Sequence, residues 1–68
     1  MEDIRTKVGA ELRALRLSKG LTTRGLAEIV GVDHGHIVRI ESGKYNVRID
    51  TVNALANALD AEITLKKK

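Results

Sequence analysis

The chain has 68 residues, enough for one small domain in which folding hides only about 60% of the unfolded chain's surface. It contains no cysteine, which excludes disulfides, thiolate zinc sites and cysteine nucleophiles together. The formal net charge is +3, and Lys66, Lys67 and Lys68 supply the whole excess, so the sum of charges names no partner by itself.

Glu2, Asp3, Arg5 and Lys7 interrupt any apolar run of the leader-peptide kind. No segment approaches the roughly 20 apolar residues of a membrane span. A soluble, cytoplasmic protein without a membrane partner is expected, with residues 1–68 forming one domain.

Apolar residues recur three and four apart, which predicts helices almost to the end of the chain. Ile4, Val8, Leu12 and Leu15 make one stripe, and Gly20 is a natural stop for that first helix. Thr22 or Thr23 can cap a second helix carrying Leu26, Ala27, Ile29 and Val30, closed by Gly31. Asp33 caps a short third helix with Ile37 and Ile40 turned inward and Gly43 at its end. The polar loop "KYNVR" leads to Asp50 as the cap of a fourth helix bearing Val52, Leu55, Ala56 and Leu59. The last segment, "AEITLKKK" at about 61–68, alternates instead: Ile63 and Leu65 fall on one side, Glu62 and Thr64 on the other. A lone strand cannot satisfy its own backbone, so residues 62–65 are expected to pair with the same strand of a second copy.

The middle of the chain carries a spacing with a mechanical meaning. A small residue, Ala27, lets two helices cross closely, and Gly31 turns the chain between them. Ile37 and Ile40 then lock the later helix onto the earlier one. Together they predict a helix-turn-helix at about 22–42. At about 100° per residue, Ile37 and Ile40 define one side of the third helix. Gly35, Val38, Arg39 and Ser42 gather opposite, with His34 at the edge and His36 on a flank.

Two histidines in this short stretch raise the alternative of a metal site. Positions two apart on a helix diverge by roughly 200°, so His34 and His36 cannot grip one ion there, whereas helical metal pairs are spaced by four. No metal and no cofactor are expected. No nucleophile–base arrangement is identifiable, so an enzyme is not expected either.

Beyond the spacing, "VGAELRALRLSKGLTTRGLAEIVGVDHGHIVRIESGK" followed by "IDTVNALANAL" resembles the phage repressor and Cro-type, or XRE-like, helix-turn-helix family. The resemblance runs from about Val8 to Leu59. It is carried by the Leu-Arg-x-x-Arg run, Gly-Leu-Thr before the second helix, Leu-Ala-Glu within it, Gly-Val in the turn and Ile-Glu-x-Gly closing the third. It implies a mostly α, compact four- to five-helix domain of the lambda-repressor type that binds double-stranded operator DNA, usually as a homodimer. On that resemblance the third helix reads bases. Arg39 would address guanine O6 and N7, His34 would be a second reader, Gly35 would allow close approach and Val38 would meet a thymine methyl group.

Thr22 and Thr23 sit where a helix amino terminus offers amides and hydroxyls to a phosphate. His36 and Ser42 on the third helix, with Arg24, Lys44, Tyr45, Asn46 and Arg48 in regions the family uses to flank the groove, complete the expected backbone contacts. The family pattern also pairs Arg16 with Glu41, tying the first helix to the third. Arg5, Lys7 and Arg13 are assigned to the solvated outer face of the first helix.

Three departures from the pattern stand out. Thr23 replaces a common glutamine, Gly25 a frequent glutamate of the capping box, and Asp60 a usual glycine after the fourth helix. The reading is a sequence-specific transcriptional regulator, acting as a homodimeric repressor. The alternative is an antitoxin-type regulator that binds DNA and neutralises a partner toxin.

Overall fold

A computed structural model describes residues 3–65 and Lys67. It consists of four helices in chain order: α1 (Ile4–Ser18), α2 (Thr23–Val30), α3 (His34–Ser42) and α4 (Ile49–Ala58).

Local chemistry sets the helix ends. The Asp3 carboxylate accepts the Arg5 N–H at 2.8 Å and caps α1. The Thr22 hydroxyl accepts the Gly25 N–H at 2.9 Å and caps α2, so half of a capping box survives without a glutamate at 25. Asp33 does the same for α3 through the Gly35 N–H, also at 2.9 Å. The fourth helix differs from the expectation. It starts two residues early with Arg48 at the cap and no side-chain bond there, and Asp50 lies inside the first turn. A negative charge in that turn still favours the exposed amides of the helix end, so Asp50 acts as a field rather than as a cap. At the carboxyl ends, Gly20, Gly31 and Gly43 all take positive φ, as helix-terminating glycines do. Asp60 adopts φ +57° after α4, the position where the family pattern has glycine.

The core is built from Leu12, Leu26, Ala27, Ile37, Ile40, Leu55 and Leu59, with Val8, Leu15, Val30 and Val47 packed at its edge. It sits at the centre of the bundle because α3 packs on both α1 and α2, while α4 packs on α2. Ala27 is buried at the crossing of α2 and α3, where its carbonyl accepts the N–H of both Gly31 and Val32. Gly9 permits an equally close approach of α1 to α3, since a Cβ there would lie 2.6 Å from the Ile40 carbonyl oxygen. Gly43 matches it from the other side, with Thr6 Cα only 2.7 Å from where its Cβ would be.

Two apolar residues assigned inward face out instead. Ile4 is 67% exposed, because the first turn of α1 runs past the core, and Ile29 is largely exposed on the outer side of α2. The C-terminal segment also differs. Residues 61–65 form no strand, and among the described residues there is no other strand for them to pair with. Backbone donors and acceptors need a neighbouring ladder to make one. Lys66 and Lys68, two thirds of the expected basic tail, lie outside the described residues, and Lys67 is exposed. No described helix is long and apolar enough to cross a membrane.

Candidate nucleic-acid interface

The outer side of α3 is free. Ile37 and Ile40 are almost completely buried, and Val38, Arg39 and Ser42 are exposed on the far side of the helix. His34 is the first helical residue and, like Gly35 and His36, is half-buried. Gly35 leaves bare backbone there: a Cβ would meet Asp33 Oδ2 at 2.9 Å and Arg39 Nη1 at 3.4 Å. The Arg39 guanidinium therefore lies back along the helix over Gly35, the direction in which helical side chains lean.

α3 is held at a fixed angle by one ion pair. Arg16 Nε donates to Glu41 Oε2 at 2.7 Å and Nη2 to Oε1 at 3.0 Å, a two-pronged contact between α1 and α3. The third arm, Nη1, donates to the Leu21 carbonyl at 2.8 Å, while the Arg16 carbonyl accepts the Leu21 N–H at 3.1 Å. Arg16 thus clasps the α1–α2 turn as well as α3. Hydrogen bonding to Glu41 raises the guanidinium pKa further above its ordinary value, against the opposing effect of burial.

The loop after α3 folds back onto it. His36 and Tyr45 meet edge to face, with ring centroids 5.6 Å apart and planes at 84°. The Arg39 guanidinium carbon sits over the same Tyr45 ring, 5.5 Å from its centroid. Lys44 is exposed beside this cluster in sequence, and Arg24 and Arg48 are exposed on α2 and at the α4 cap. Arg48 reaches only a loose, solvent-exposed contact with Asp50 at 3.7 Å.

Other expected contact residues have local partners. The Ser42 hydroxyl donates to the Arg39 carbonyl at 2.6 Å and its oxygen accepts the Lys44 N–H at 3.4 Å, so both of its functions have local partners. Asn46 turns away from α3, accepting from Arg5 Nη1 at 3.0 Å on the side of the groove between α1 and α4. Thr22 is committed as an acceptor but keeps its hydroxyl proton. Thr23 lines a shallow depression of about 350 Å³ together with Arg13, Arg16, Val38, Glu41 and Ser42. Arg13 is exposed on the outer face of α1, and that face borders a neighbour. The structure brings it beside the exposed side of α3, and its signal in the sequence is its place three residues before Arg16, on the same side of α1.

A second surface lies on the other side of the molecule. Ile4, Val8, Leu15, Ile49, Val52, Ile63 and Leu65 line an open, mainly apolar groove of about 1040 Å³ between α1, α4 and the C-terminal segment. Leu65 within it is 96% exposed.

This arrangement of a capped α2, a glycine turn and an α3 with one buried and one open side matches known proteins. The profile of the helix-turn-helix domain family matches residues 7–66. The chain belongs to that family. Its resemblance to the repressor and Cro-type, XRE-like members holds across sequence and structure. Two HTH-type transcriptional regulators, of Rickettsia conorii and Rickettsia prowazekii, are each 30% identical over 63 residues, 93% of this chain. The chain spans about half the length of these curated relatives, 50% and 48% respectively. Among solved structures, the clp gene regulator ClgR of Corynebacterium glutamicum is 36% identical with a TM-score of 0.82, covering 87% of this chain and 76% of that one. The restriction-modification controller protein C.AhdI of Aeromonas hydrophila is 40% identical with a TM-score of 0.80, covering 85% and 84%. The fold of this four-helix, all-α chain is thus shared with the matched parts of the two solved regulators.

Proposed function

We propose that this helix-turn-helix protein is a sequence-specific double-stranded DNA-binding regulator that places α3 in the major groove and acts as a homodimeric repressor. The observation that carries the reading is the open side of α3: Val38 and Arg39 face out beside the half-buried backbone of Gly35, while Ile37 and Ile40 anchor the helix and Arg16–Glu41 ties it to α1. Arg39 supplies paired donors for guanine O6 and N7, Val38 an apolar contact for a thymine methyl group, and His34 a donor or acceptor at the helix start.

Thr22, Thr23 and Arg24 at the start of α2, with Arg13, Lys44 and Arg48, supply phosphate contacts that position the reader without choosing sequence. Names of regulators among its relatives and structural neighbours support the same reading. The apolar groove around Ile4, Ile49, Ile63 and Leu65 supports a dimer, in which the C-terminal segments of two copies pair and two copies of α3 reach half-sites about one DNA turn apart.

Selection of bound sequences from random duplex DNA tests the proposal. A symmetric consensus is expected, with affinity falling steeply as salt rises. Arg39→Ala should lose about 1–3 kcal/mol of discrimination at one base position, whereas Lys44→Ala should weaken all duplexes alike. Absence of any preferred sequence, or identical behaviour of the two variants, refutes it. Sedimentation reports the dimer, and copurification with a second small protein would favour the antitoxin reading instead.

A further inference from the structure

We propose that Tyr45 is a positioning residue for Arg39, holding its guanidinium in a slot lined by the aromatic ring and the bare backbone at Gly35. The inference rests on the reading of α3 as the base-contacting helix, and it assigns to Tyr45 a role in specificity rather than a phosphate contact. Three observations converge on it. The Arg39 guanidinium carbon lies 5.5 Å from the centre of the Tyr45 ring. Its Nη1 is also 3.4 Å from where a Cβ at residue 35 would stand, so the guanidinium lies in contact distance of the bare backbone there. The ring is itself held by His36, one turn from Arg39 on α3, through an edge-to-face contact at 84°.

The chemistry explains why such a slot serves reading. An arginine on an open helix face has many rotamers, and fixing them on a base costs entropy. Arg39 makes no ion pair among the described residues, and the Asp33 carboxylate near Gly35 is engaged as the α3 cap by the Gly35 N–H. A ring beside the guanidinium restrains it differently. The cation–π attraction holds the charge over the ring without tying the N–H groups to a carboxylate. Those N–H groups are the ones that guanine O6 and N7 accept. Tyr45 belongs to the loop rather than to α3, so α3 and the loop share control of one reader. The hydroxyl has no part in this, because the ring face alone makes the contact.

The test has two arms. In the free protein, NMR should show the Arg39 side-chain protons displaced by the ring current of Tyr45. The displacement should persist in Tyr45→Phe and vanish in Tyr45→Leu, with circular dichroism reporting that both variants fold. On DNA, the selected duplex and its counterpart altered at the guanine read by Arg39 are compared. Tyr45→Phe should retain wild-type discrimination between them. Tyr45→Leu should lose about two- to fivefold, the factor expected for one exposed cation–π contact, while its affinity for random duplex is unchanged. In an Arg39→Ala background Tyr45→Leu should add nothing.

A wild-type protein lacking the ring-current shift overturns the slot. So does a Tyr45→Leu variant that weakens every duplex equally, or a Tyr45→Phe variant as impaired as Tyr45→Leu, which would make the hydroxyl a phosphate contact. Failure of the wild-type protein to prefer any duplex overturns the base-reading proposal together with this one. A selected duplex with unchanged discrimination in Tyr45→Leu overturns this one alone.

Discussion

Replacing Glu41 by alanine should strike the molecule at the joint between α1 and α3. The substitution removes two charge-assisted hydrogen bonds, of 2.7 and 3.0 Å, and leaves Arg16 with its single bond to the Leu21 carbonyl. Truncating one member of a fully buried pair costs about 3–5 kcal/mol, chiefly because the remaining charge is stranded. The two side chains are 9% and 8% exposed, so a little water reaches the stranded guanidinium and the lower end applies, about 3 kcal/mol. A 68-residue domain has roughly 3–10 kcal/mol of total stability, so this single change consumes a large part of it. Urea and thermal unfolding followed by circular dichroism should show the loss, with a fall in Tm of more than about 10 °C.

Glu41→Gln keeps one acceptor and should lie between wild type and Glu41→Ala. The double replacement Arg16→Met with Glu41→Leu removes both charges and should recover most of the stability lost by either single change. A loss below about 1 kcal/mol for Glu41→Ala would place the pair in the class of exposed surface bridges and refute the reasoning.

Gly9→Ala would ordinarily favour a helix by about 1 kcal/mol, yet its methyl group would press on the Ile40 and Glu41 carbonyl oxygens, at 2.6 and 3.0 Å. A net loss of about 1–3 kcal/mol is expected from overpacking, and a raised Tm would mean that the two helices cross less closely than described. Gly31→Ala meets no atom within 4 Å but must hold φ +82°, so its cost of about 1–2 kcal/mol comes from backbone strain alone. Unfolding in urea should therefore show two glycine substitutions that destabilise for unlike reasons, and a neutral Gly31→Ala would deny the left-handed turn.

Hydrogen bonding from the Arg5 side chain, then its backbone N–H, lowers the Asp3 carboxyl to about 2 from 3.8. A folded-state pKa below the unfolded one stabilises the folded form above about pH 4, and that support fades as pH falls through about 2. Carbon NMR of the carboxyl should give a midpoint near 2, and Arg5→Ala should return it toward the ordinary value. A wild-type midpoint near 4 would show that the cap does not form in solution.

The fold was legible where a residue's own chemistry fixes its place. Asp33 and a threonine at the α2 start announce caps, and Gly20, Gly31 and Gly43 announce ends, because left-handed φ is cheap only for glycine. Ala27, Ile37 and Ile40 declared the crossing through their size and spacing. What stayed hidden depends on neighbours brought from elsewhere in the chain. Periodicity put Ile4 and Ile29 on apolar stripes, but a stripe does not say whether anything covers it. The start of α4 was displaced because Asp50 resembles a cap, whereas the chain turns at Arg48 without one. Gly9 has a signal of its own kind, since a glycine inside a helix costs stability and so calls for a packing partner, but which partner is set by the fold. At the candidate site, the α3 face followed from angle alone. Arg13 beside Thr23, Asn46 on Arg5 and the cluster around Tyr45 needed long-range geometry to be seen.

Tyr45 is the only tyrosine, and the chain has neither tryptophan nor phenylalanine. All of this chain's intrinsic near-ultraviolet emission therefore originates at one ring, seated against an imidazole and a guanidinium on the loop that follows α3. Nature has in effect installed a single unlabelled fluorophore there, so light from this molecule tracks one loop and is silent about everything else.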